Sequence, residues 1–293
     1  MNKWATFVNE RLEPVSHLTM VAVFIIGHIL LAKSVGFVTL KAWQFPFLFI
    51  GVVFFFTKLR FYDEIKDYET DVTFNPTRPL PRGLVTHQDL YKGIVLSIVV
   101  ELIAFSLCSK AGILCATLAI AYSLLMYKEF FIGKYIRPHL TTYAMSHTVV
   151  TILLSLAIFA SLSGVIFYKL HHDLILFSII SWLLFNIFEF GRKSYLENEE
   201  REHVPTYSNI FTRWGAFALV LSQALIATYL LLKMAAWTAN FRLAFIIILA
   251  ILVIVGLLYS KAAINTRWGK IYRNFTSVYI VLIYGTVIAH FLI

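Results

Sequence analysis

Nine long blocks of mostly apolar residues run along the chain and leave it few ways to fold. A helix needs about 20 consecutive apolar residues to cross the hydrocarbon core of a bilayer, where every backbone polar group must be satisfied internally. Only 14% of the residues are charged, whereas a soluble domain carries roughly 25%. The pattern therefore predicts an all-α fold, a polytopic membrane bundle of nine transmembrane helices.

No linker rich in Gly, Ser or Pro divides the blocks, so we expect one domain over residues 1–293. Before the first block, Trp4, Phe7, Val8 and Leu12 recur at helical spacing, which is typical of a short helix lying at the membrane interface. The predicted spans are, in chain order, approximately 17–33, 43–59, 90–108, 111–127, 143–163, 174–190, 214–232, 241–259 and 277–293.

The positive charge indicates the orientation of the chain. Of the 25 Lys and Arg residues, 19 lie in the N-terminal segment and in the loops after spans two, four, six and eight, and 6 lie on the other side. Because Lys and Arg accumulate in cytoplasmic loops, we expect the N-terminus and the longer loops in the cytoplasm. The net charge of +9 includes no basic cluster with interleaved aromatics, so it does not point to nucleic acid, and we expect no nucleic-acid partner.

A first acidic segment follows span two. Asp63, Asp67 and Asp71 are spaced i, i+4, i+8, so they line one face of a continuing helix, and Glu64 adds a fourth carboxylate. Such like charges destabilise a helix unless a cation compensates them. Mg²⁺ prefers carboxylate oxygens and is usually held by one or two of them together with substrate phosphate oxygens. The four acids are therefore candidate ligands of Mg²⁺ carrying a diphosphate; the alternative is a solvated helix end that binds nothing.

A second segment follows span six, where Glu189, Lys193 and Glu197 repeat the spacing 126 residues after Asp63, Asp67 and Asp71 respectively. This echo predicts a parallel pseudo-repeat of spans one to four (about 15–128) in spans five to eight (about 141–260), with a ninth helix at about 275–293. If both helices face one cavity, their polar faces meet at its cytoplasmic end. Glu189 and Glu197 then bind metal and Lys193 contacts the diphosphate; the alternative is a Glu–Lys–Glu salt-bridge ladder.

Other polar residues are weaker candidates. Lys128 and Arg137, after span four, could complete a phosphate clamp, although the positive-inside bias explains them equally well. Glu101 lies within span three, where a carboxyl group is functional, is protonated and bonded to a neighbouring helix, or pairs with another polar group. His147 is a candidate base, or else a packing residue. The remaining candidates for substrate binding are Arg60, Arg78, Arg192 and Tyr195.

The first acidic segment resembles a known family. Asp63-Glu64-x-x-Asp67-x-x-x-Asp71 is similar to the first aspartate-rich motif of the UbiA superfamily of intramembrane prenyltransferases, usually Asn-Asp-x-x-Asp-x-x-x-Asp. The run from Arg78 to Gly83, Arg-Pro-Leu-Pro-Arg-Gly, is similar to the family's Arg-Pro-Leu-x-x-Gly. Nine spans with acidic motifs after the second and sixth also match. The second motif departs, because the family has an aspartate-rich segment there, or Tyr-x-x-x-Lys-x-x-x-Asp in a branch that transfers phosphoribosyl groups.

The resemblance implies a bundle around a central cavity and a reaction in which Mg²⁺-assisted departure of diphosphate leaves an allylic cation. An acceptor, or an internal double bond in a terpene cyclase, captures that cation. The implied partners are an isoprenoid diphosphate, an unidentified acceptor and membrane lipid, and the implied location is a bacterial inner membrane. A phosphoribosyl transferase acting on a lipid phosphate and a cation transporter stay open. The implied catalytic residues are Asp63, Asp67, Asp71, Glu189 and Lys193.

Overall fold

The computed structural model describes residues 2–200 and 204–293, which are helical and contain no β-strand. Nine helical segments in this part of the chain are long and apolar enough to cross a membrane, so the nine predicted spans are confirmed and the chain is an integral membrane protein. These segments are Pro14–Ser34, Ala42–Lys66, His87–Cys108, Lys110–Tyr127, Leu140–Ser163, His172–Arg192, Tyr207–Lys233, Ala239–Ser260 and Trp268–Leu292.

The α-helices are numbered in chain order. They are α1 (Lys3–Arg11), α2 (Pro14–Ser34), α3 (Phe45–Lys66), α4 (Tyr68–Phe74), α5 (His87–Cys108), α6 (Lys110–Tyr127), α7 (Gly133–Ile136), α8 (Leu140–Thr148), α9 (Val150–Ser163), α10 (His172–Arg192), α11 (Tyr207–Lys233), α12 (Ala239–Ser260) and α13 (Trp268–Leu292). Short 3₁₀ turns precede α3 and follow α6, α9 and α10.

Two helices begin well before the predicted spans, because their first turns are polar and are held by the protein. The helix α11 begins at Tyr207, where the Thr206 hydroxyl caps it by accepting from the amide of Asn209 at 3.1 Å. The helix α13 begins at Trp268, and its second turn carries Arg273, which is bound to Glu199. Hydropathy reports only the apolar part of such a helix.

The described residues form two compact units. The first consists of Met1–Ile29, Val38–Phe131 and Ala157–Lys169, and the second of Leu30–Phe37, Ile132–Leu156 and Leu170–Ile293. The change from one unit to the other at residue 131 lies close to the predicted boundary between the two halves of the chain. The pseudo-repeat itself stays a prediction.

In the first unit, α3 packs against α5 and α6, and α5 packs against α6. The predicted N-terminal helix is present as α1, but its central aromatic residue faces protein. Phe7 is fully buried, and its ring lies 5.6 Å from that of Phe61 on α3. The helix therefore lies on α3, with this part of its apolar face covered by the protein.

In the second unit, α10 packs against α8, α11 and α13, and α12 packs against α11 and α13. A glycine near the end of α10 permits the approach of α13. A Cβ atom at Gly191 would lie 2.0 Å from Thr276 Oγ1 and 2.3 Å from Thr276 Cβ. Small residues allow such close backbone contact between membrane helices. The end of α10, which carries the second acidic segment, is thereby held against α13.

Candidate active site

The first acidic segment keeps its helical spacing, although one helix ends and the next begins within it. The helix α3 ends at Lys66, and Asp67 is both its C-cap and the N-cap of α4. The amide of Asp67 donates to the carbonyl of Asp63 at 2.9 Å, and the amide of Asp71 donates to that of Asp67 at 2.8 Å. The three aspartates therefore lie one turn apart, as the spacing predicts.

Two acids of this segment are open to solvent. The Asp63 side chain is 56% exposed, with its carboxylate 4.0 Å from Arg60 Nη1, and Asp67 is also exposed. A third, Asp71, is almost fully buried and accepts from Arg78 Nη1 at 2.6 Å to each carboxylate oxygen. Asn75 Nδ2 donates to the same carboxylate at 3.0 Å. Asp71 is thus fixed to the loop that contains the Arg-Pro-Leu motif.

The fourth acid, Glu64, is fully buried. Its Oε1 atom accepts from Arg11 Nε of α1 at 2.5 Å and lies 3.7 Å from Arg60 Nε. Among the described residues, its Oε2 atom has no hydrogen-bond partner. Glu64 therefore differs from Asp63 and Asp67, because its carboxylate faces cationic side chains of the protein.

The donors of this segment fit one kind of metal site. Among the residues that the structure describes, no three His, Cys, Asp or Glu side chains are grouped closely enough to hold a metal ion by themselves. Mg²⁺ does not require such a cage, because it keeps several waters and takes one or two carboxylates together with phosphate oxygens. Asp63 and Asp67, exposed and one turn apart, fit that arrangement. That Glu64 and Asp71 also bind metal stays a prediction.

The loop after α6 is attached to the first acidic segment by a contact that the sequence did not suggest. Glu129 is mostly buried, and its carboxylate lies 3.9 Å from Lys66 Nζ at the end of α3. Glu129, Phe130 and Phe131 have φ values of 51°, 54° and 59°. Three consecutive non-glycine residues in the left-handed region are unusual and costly. The chain therefore makes a strained turn directly beside the acidic segment.

The predicted phosphate clamp is divided between the two units. Lys128 is exposed at the end of α6 in the first unit, with its ammonium 5.0 Å from the ring centre of Tyr127. Arg137 is exposed in the second unit, directly after α7. Whether both contact one phosphate group stays a prediction.

The second acidic segment keeps helical spacing only as far as Lys193. Glu189 accepts from Arg192 Nε at 2.6 Å, and its carboxylate lies 3.2 Å from Lys193 Nζ. The helix α10 ends at Arg192, with Lys193 as its C-cap, so the expectation that Glu197 shares this helical face is wrong. Glu197 lies instead in a 3₁₀ turn, with its carboxylate 3.3 Å from Arg213 Nε on α11.

The helix ends there because the chain folds back on α11. The carbonyl of Lys193 accepts from the amide of Tyr207 at 3.0 Å, and the amide of Tyr195 donates to Ser208 Oγ at 2.7 Å. These partners lie 13 or 14 residues along the chain, so the position of the break depends on contacts that the spacing of Glu189, Lys193 and Glu197 does not reveal.

Two further acids fix this loop, and sequence reasoning did not single them out. Glu199 forms a two-pronged ion pair with Arg273, at 2.7 and 2.9 Å, and these hydrogen bonds hold the pKa of its carboxyl below the usual range. Glu200 accepts from the hydroxyls of Thr206 and Ser208 at 2.8 and 2.6 Å. The Arg273 guanidinium also lies 4.3 Å from the ring centre of Tyr195.

A cleft of about 510 Å³ lies beside this loop in the second unit. Thr212 of α11 has a φ of 64° at its rim, in the region that β-branched residues rarely adopt. The cleft carries charges of both signs, from Glu197, Glu200 and Arg213. It is lined by Tyr195, Glu197, Glu200, Ser208, Asn209, Thr212, Arg213, Trp214 and Ser260.

The two candidates within the spans, Glu101 and His147, have protein partners. Glu101 accepts from Lys58 Nζ at 2.6 Å, and both side chains are fully buried, which confirms the alternative in which this carboxylate pairs with another polar group. His147 Nδ1 lies 2.7 Å from the carbonyl of Tyr143, and the two rings stack at 3.9 Å. These contacts are those of a packing residue, and a role for His147 as a base stays a prediction.

A polar network also links three helices of the second unit. Asn186 of α10 accepts from the Thr148 hydroxyl at 2.5 Å and donates to Gln223 Oε1 of α11 at 3.1 Å. Trp182 Nε1 donates to the same Thr148 hydroxyl at 3.0 Å. The network lies on α10 one turn before Glu189, so it fixes the part of the helix from which the second acidic segment continues.

Two solved structures are similar to the chain over most of its length. One concerns digeranylgeranylglyceryl phosphate synthase in membranes, with a TM-score of 0.65 and 16% identity over 100% of this chain and 99% of that chain. The other is the apo structure of a UbiA homolog from Aeropyrum pernix K1, with a TM-score of 0.59 and 14% identity over 92% of this chain and 96% of that chain. No family model and no curated protein matches the sequence. At these identities the likeness shows a shared fold, which does not by itself fix a function.

Proposed function

We propose that this chain, whose fold is that of the UbiA superfamily, is an Mg²⁺-dependent intramembrane prenyltransferase. It would ionise an isoprenoid diphosphate and transfer the prenyl group to an acceptor. The observation that carries the proposal is the end of α3, where exposed Asp63 and Asp67 lie one turn apart beside Arg60. This end of a membrane-spanning helix carries acids and a cation, which suit a metal-bound diphosphate. The prenyl chain of the same substrate would then lie in the apolar phase of the membrane.

Each residue of the first segment has a distinct task in this proposal. Asp63 and Asp67 hold Mg²⁺, and Arg60 binds phosphate oxygens, because a guanidinium offers several donors in a fixed plane. Arg78 also binds phosphate and is oriented by its two contacts with Asp71. When bound, Mg²⁺ supplies positive charge that stabilises the departing diphosphate.

The second segment contributes cations. Lys193 neutralises charge on the departing diphosphate, and Glu189 holds its ammonium group at 3.2 Å. Arg192, bound to the other oxygen of Glu189, would add a second donor, with Tyr195 and Glu197 in the adjoining loop. We further propose that both segments lie on the cytoplasmic side of the membrane, as the distribution of Lys and Arg predicts, and that this membrane is a bacterial inner membrane, as the resemblance implies.

The test is turnover by the purified full-length chain. Farnesyl and geranylgeranyl diphosphate are supplied with and without Mg²⁺ and with a panel of acceptors, and lipid products are identified by mass spectrometry. Prenylated acceptor formed only with Mg²⁺ supports the proposal. Terpene hydrocarbon or alcohol formed without acceptor assigns the chain to cyclisation instead, and no consumption of any prenyl diphosphate contradicts both.

The assignment of the site is tested by Asp67→Ala against Glu69→Ala. Both residues are exposed acids in the same segment, but Glu69 has no role in the proposal. We expect Asp67→Ala to lower turnover about 100-fold or more, which is the usual scale for removing one group that stabilises developing charge. Glu69→Ala should keep the wild-type rate. Equal rates in the two variants would mean that the site lies elsewhere.

A further inference from the structure

The N-terminal helix α1 is attached along its whole length to residues around the first acidic segment. Its fully buried Phe7 packs on Phe61, which lies two residues before Asp63. Three ion pairs join the same helix to α5, to the loop after α4 and to α3. They are Lys3–Asp89 at 2.8 Å, Glu10–Arg82 at 2.9 Å and Arg11–Glu64 at 2.5 Å.

Arg11 makes a reciprocal contact with α3. Its side chain donates to Glu64, and its backbone carbonyl accepts from Arg60 Nε at 2.9 Å. This carbonyl belongs to the last residue of α1, where a helix leaves its carbonyls unsatisfied and its dipole favours a cation. Because Arg60 and Glu64 are one turn apart and flank Asp63, one residue of α1 fixes both neighbours of a candidate metal ligand.

Because Glu64 is buried, its contact with Arg11 is important for stability. Its side chain is fully buried, and its Oε2 atom has no hydrogen-bond partner within residues 2–200 and 204–293, so its charge depends on Arg11 and, at 3.7 Å, on Arg60. A buried charge that loses its partner is strongly destabilising. Without Arg11, Arg60 would be drawn to Glu64 and away from its position at the surface.

We propose that Arg11 is a positioning residue that fixes Arg60 and Glu64, and thereby holds the first acidic segment ready for a metal-bound diphosphate. The inference rests on the proposed function for its effect on turnover. Glu64 then serves as the anchor of α1. The dependence is mutual, since a helix of nine residues is only marginally stable in isolation and α1 needs these contacts to persist.

The test compares Arg11→Met, which keeps an unbranched apolar stem but removes the charge, with Arg11→Lys, which keeps the charge. Lys3→Met is the matched control, because Lys3 pairs with Asp89 at the other end of the same helix and its side chain is 44% exposed. Two quantities are measured on each full-length variant: KM and kcat for the prenyl diphosphate, and amide hydrogen exchange in residues 2–12 and 58–75.

We expect Arg11→Met to raise KM about tenfold, equivalent to about 1.4 kcal/mol of lost positioning, with a smaller effect on kcat. Exchange should accelerate in both segments, Arg11→Lys should restore part of each change, and Lys3→Met should leave KM unchanged. An unchanged KM would overturn the inference. Half-maximal turnover at a lower Mg²⁺ concentration would also overturn it, because the released Glu64 would then bind Mg²⁺. Absence of turnover in the wild-type chain contradicts the proposed function instead. In that case, amide hydrogen exchange in residues 58–75 still decides whether Arg11 holds the first acidic segment in place.

Discussion

Replacing Lys58 by methionine would leave Glu101 as an uncompensated carboxylate inside the first unit. The two side chains are fully buried and joined at 2.6 Å, in segments that cross the membrane. In the part of the chain that the structure describes, Glu101 Oε1 already has no hydrogen-bond partner, and the Lys58 ammonium lies 4.4 Å from the ring centre of Phe55. Lys58 is therefore the only ion-pair partner found for Glu101 among the residues that the structure describes.

The size of the effect follows from this burial. Breaking a buried ion pair by removing one partner costs about 3–5 kcal/mol, whereas replacing both partners by apolar residues is often neutral or stabilising. At about 2 °C per kcal/mol for a chain of this size, Lys58→Met should lower the unfolding temperature by about 6–10 °C. Glu101→Leu alone should also be destabilising, because it leaves the ammonium buried. The double variant Lys58→Met/Glu101→Leu should recover most of the wild-type stability.

The chain carries its own reporters for this measurement. Its two cysteines, Cys108 and Cys115, are 7% and 3% exposed and lie on α5 and α6 in the same unit as the ion pair. A thiol-reactive fluorophore therefore reports the opening of this unit as the temperature rises. A Lys58→Met variant as stable as the wild type, or a double variant less stable than both single variants, would refute the reasoning.

Two further predictions concern the second unit. Gly191→Ala should lower the unfolding temperature followed by circular dichroism, because its Cβ would lie 2.0 Å from Thr276 Oγ1; an unchanged temperature would mean that α13 gives way easily. The Glu199–Arg273 pair lowers the pKa of Glu199, so its contribution is present above the unfolded pKa of about 4.3 and is lost as the pH falls through the lower folded value. The protection of the amides of residues 194–200 from exchange, relative to the intrinsic rate at each pH, should therefore fall only below about pH 4.3, and a fall already at pH 6 would contradict this cause.

The spans were predictable because a membrane helix needs only length and apolar composition, which are local properties. The ends of α11 and α13 were not, since their first turns are polar and are ordered by contacts with distant residues, such as Arg273 with Glu199. The same reason explains α1: its helical pattern is visible in the sequence, but the packing of Phe7 on Phe61 is not.

The first acidic segment was predictable for a similar reason. Its i, i+4 spacing is maintained by backbone hydrogen bonds from Asp63 through Asp71, and it contains no proline or glycine. What the spacing could not distinguish is the environment of each acid. Exposed Asp63 and buried Glu64 are adjacent in sequence, and the difference arises from Arg11, 53 residues before Glu64.

The different partners of the two segments also argue for different tasks. In the second, Glu189 alone faces two cations, Arg192 and Lys193, so the end of α10 accepts added negative charge without a metal. In the first, five acids lie within nine residues, and added phosphate requires a cation between them. We infer that metal binding belongs to the first segment and direct phosphate binding to the second. This division of tasks would explain why the middle residue of Glu189-x-x-x-Lys193-x-x-x-Glu197 is a lysine.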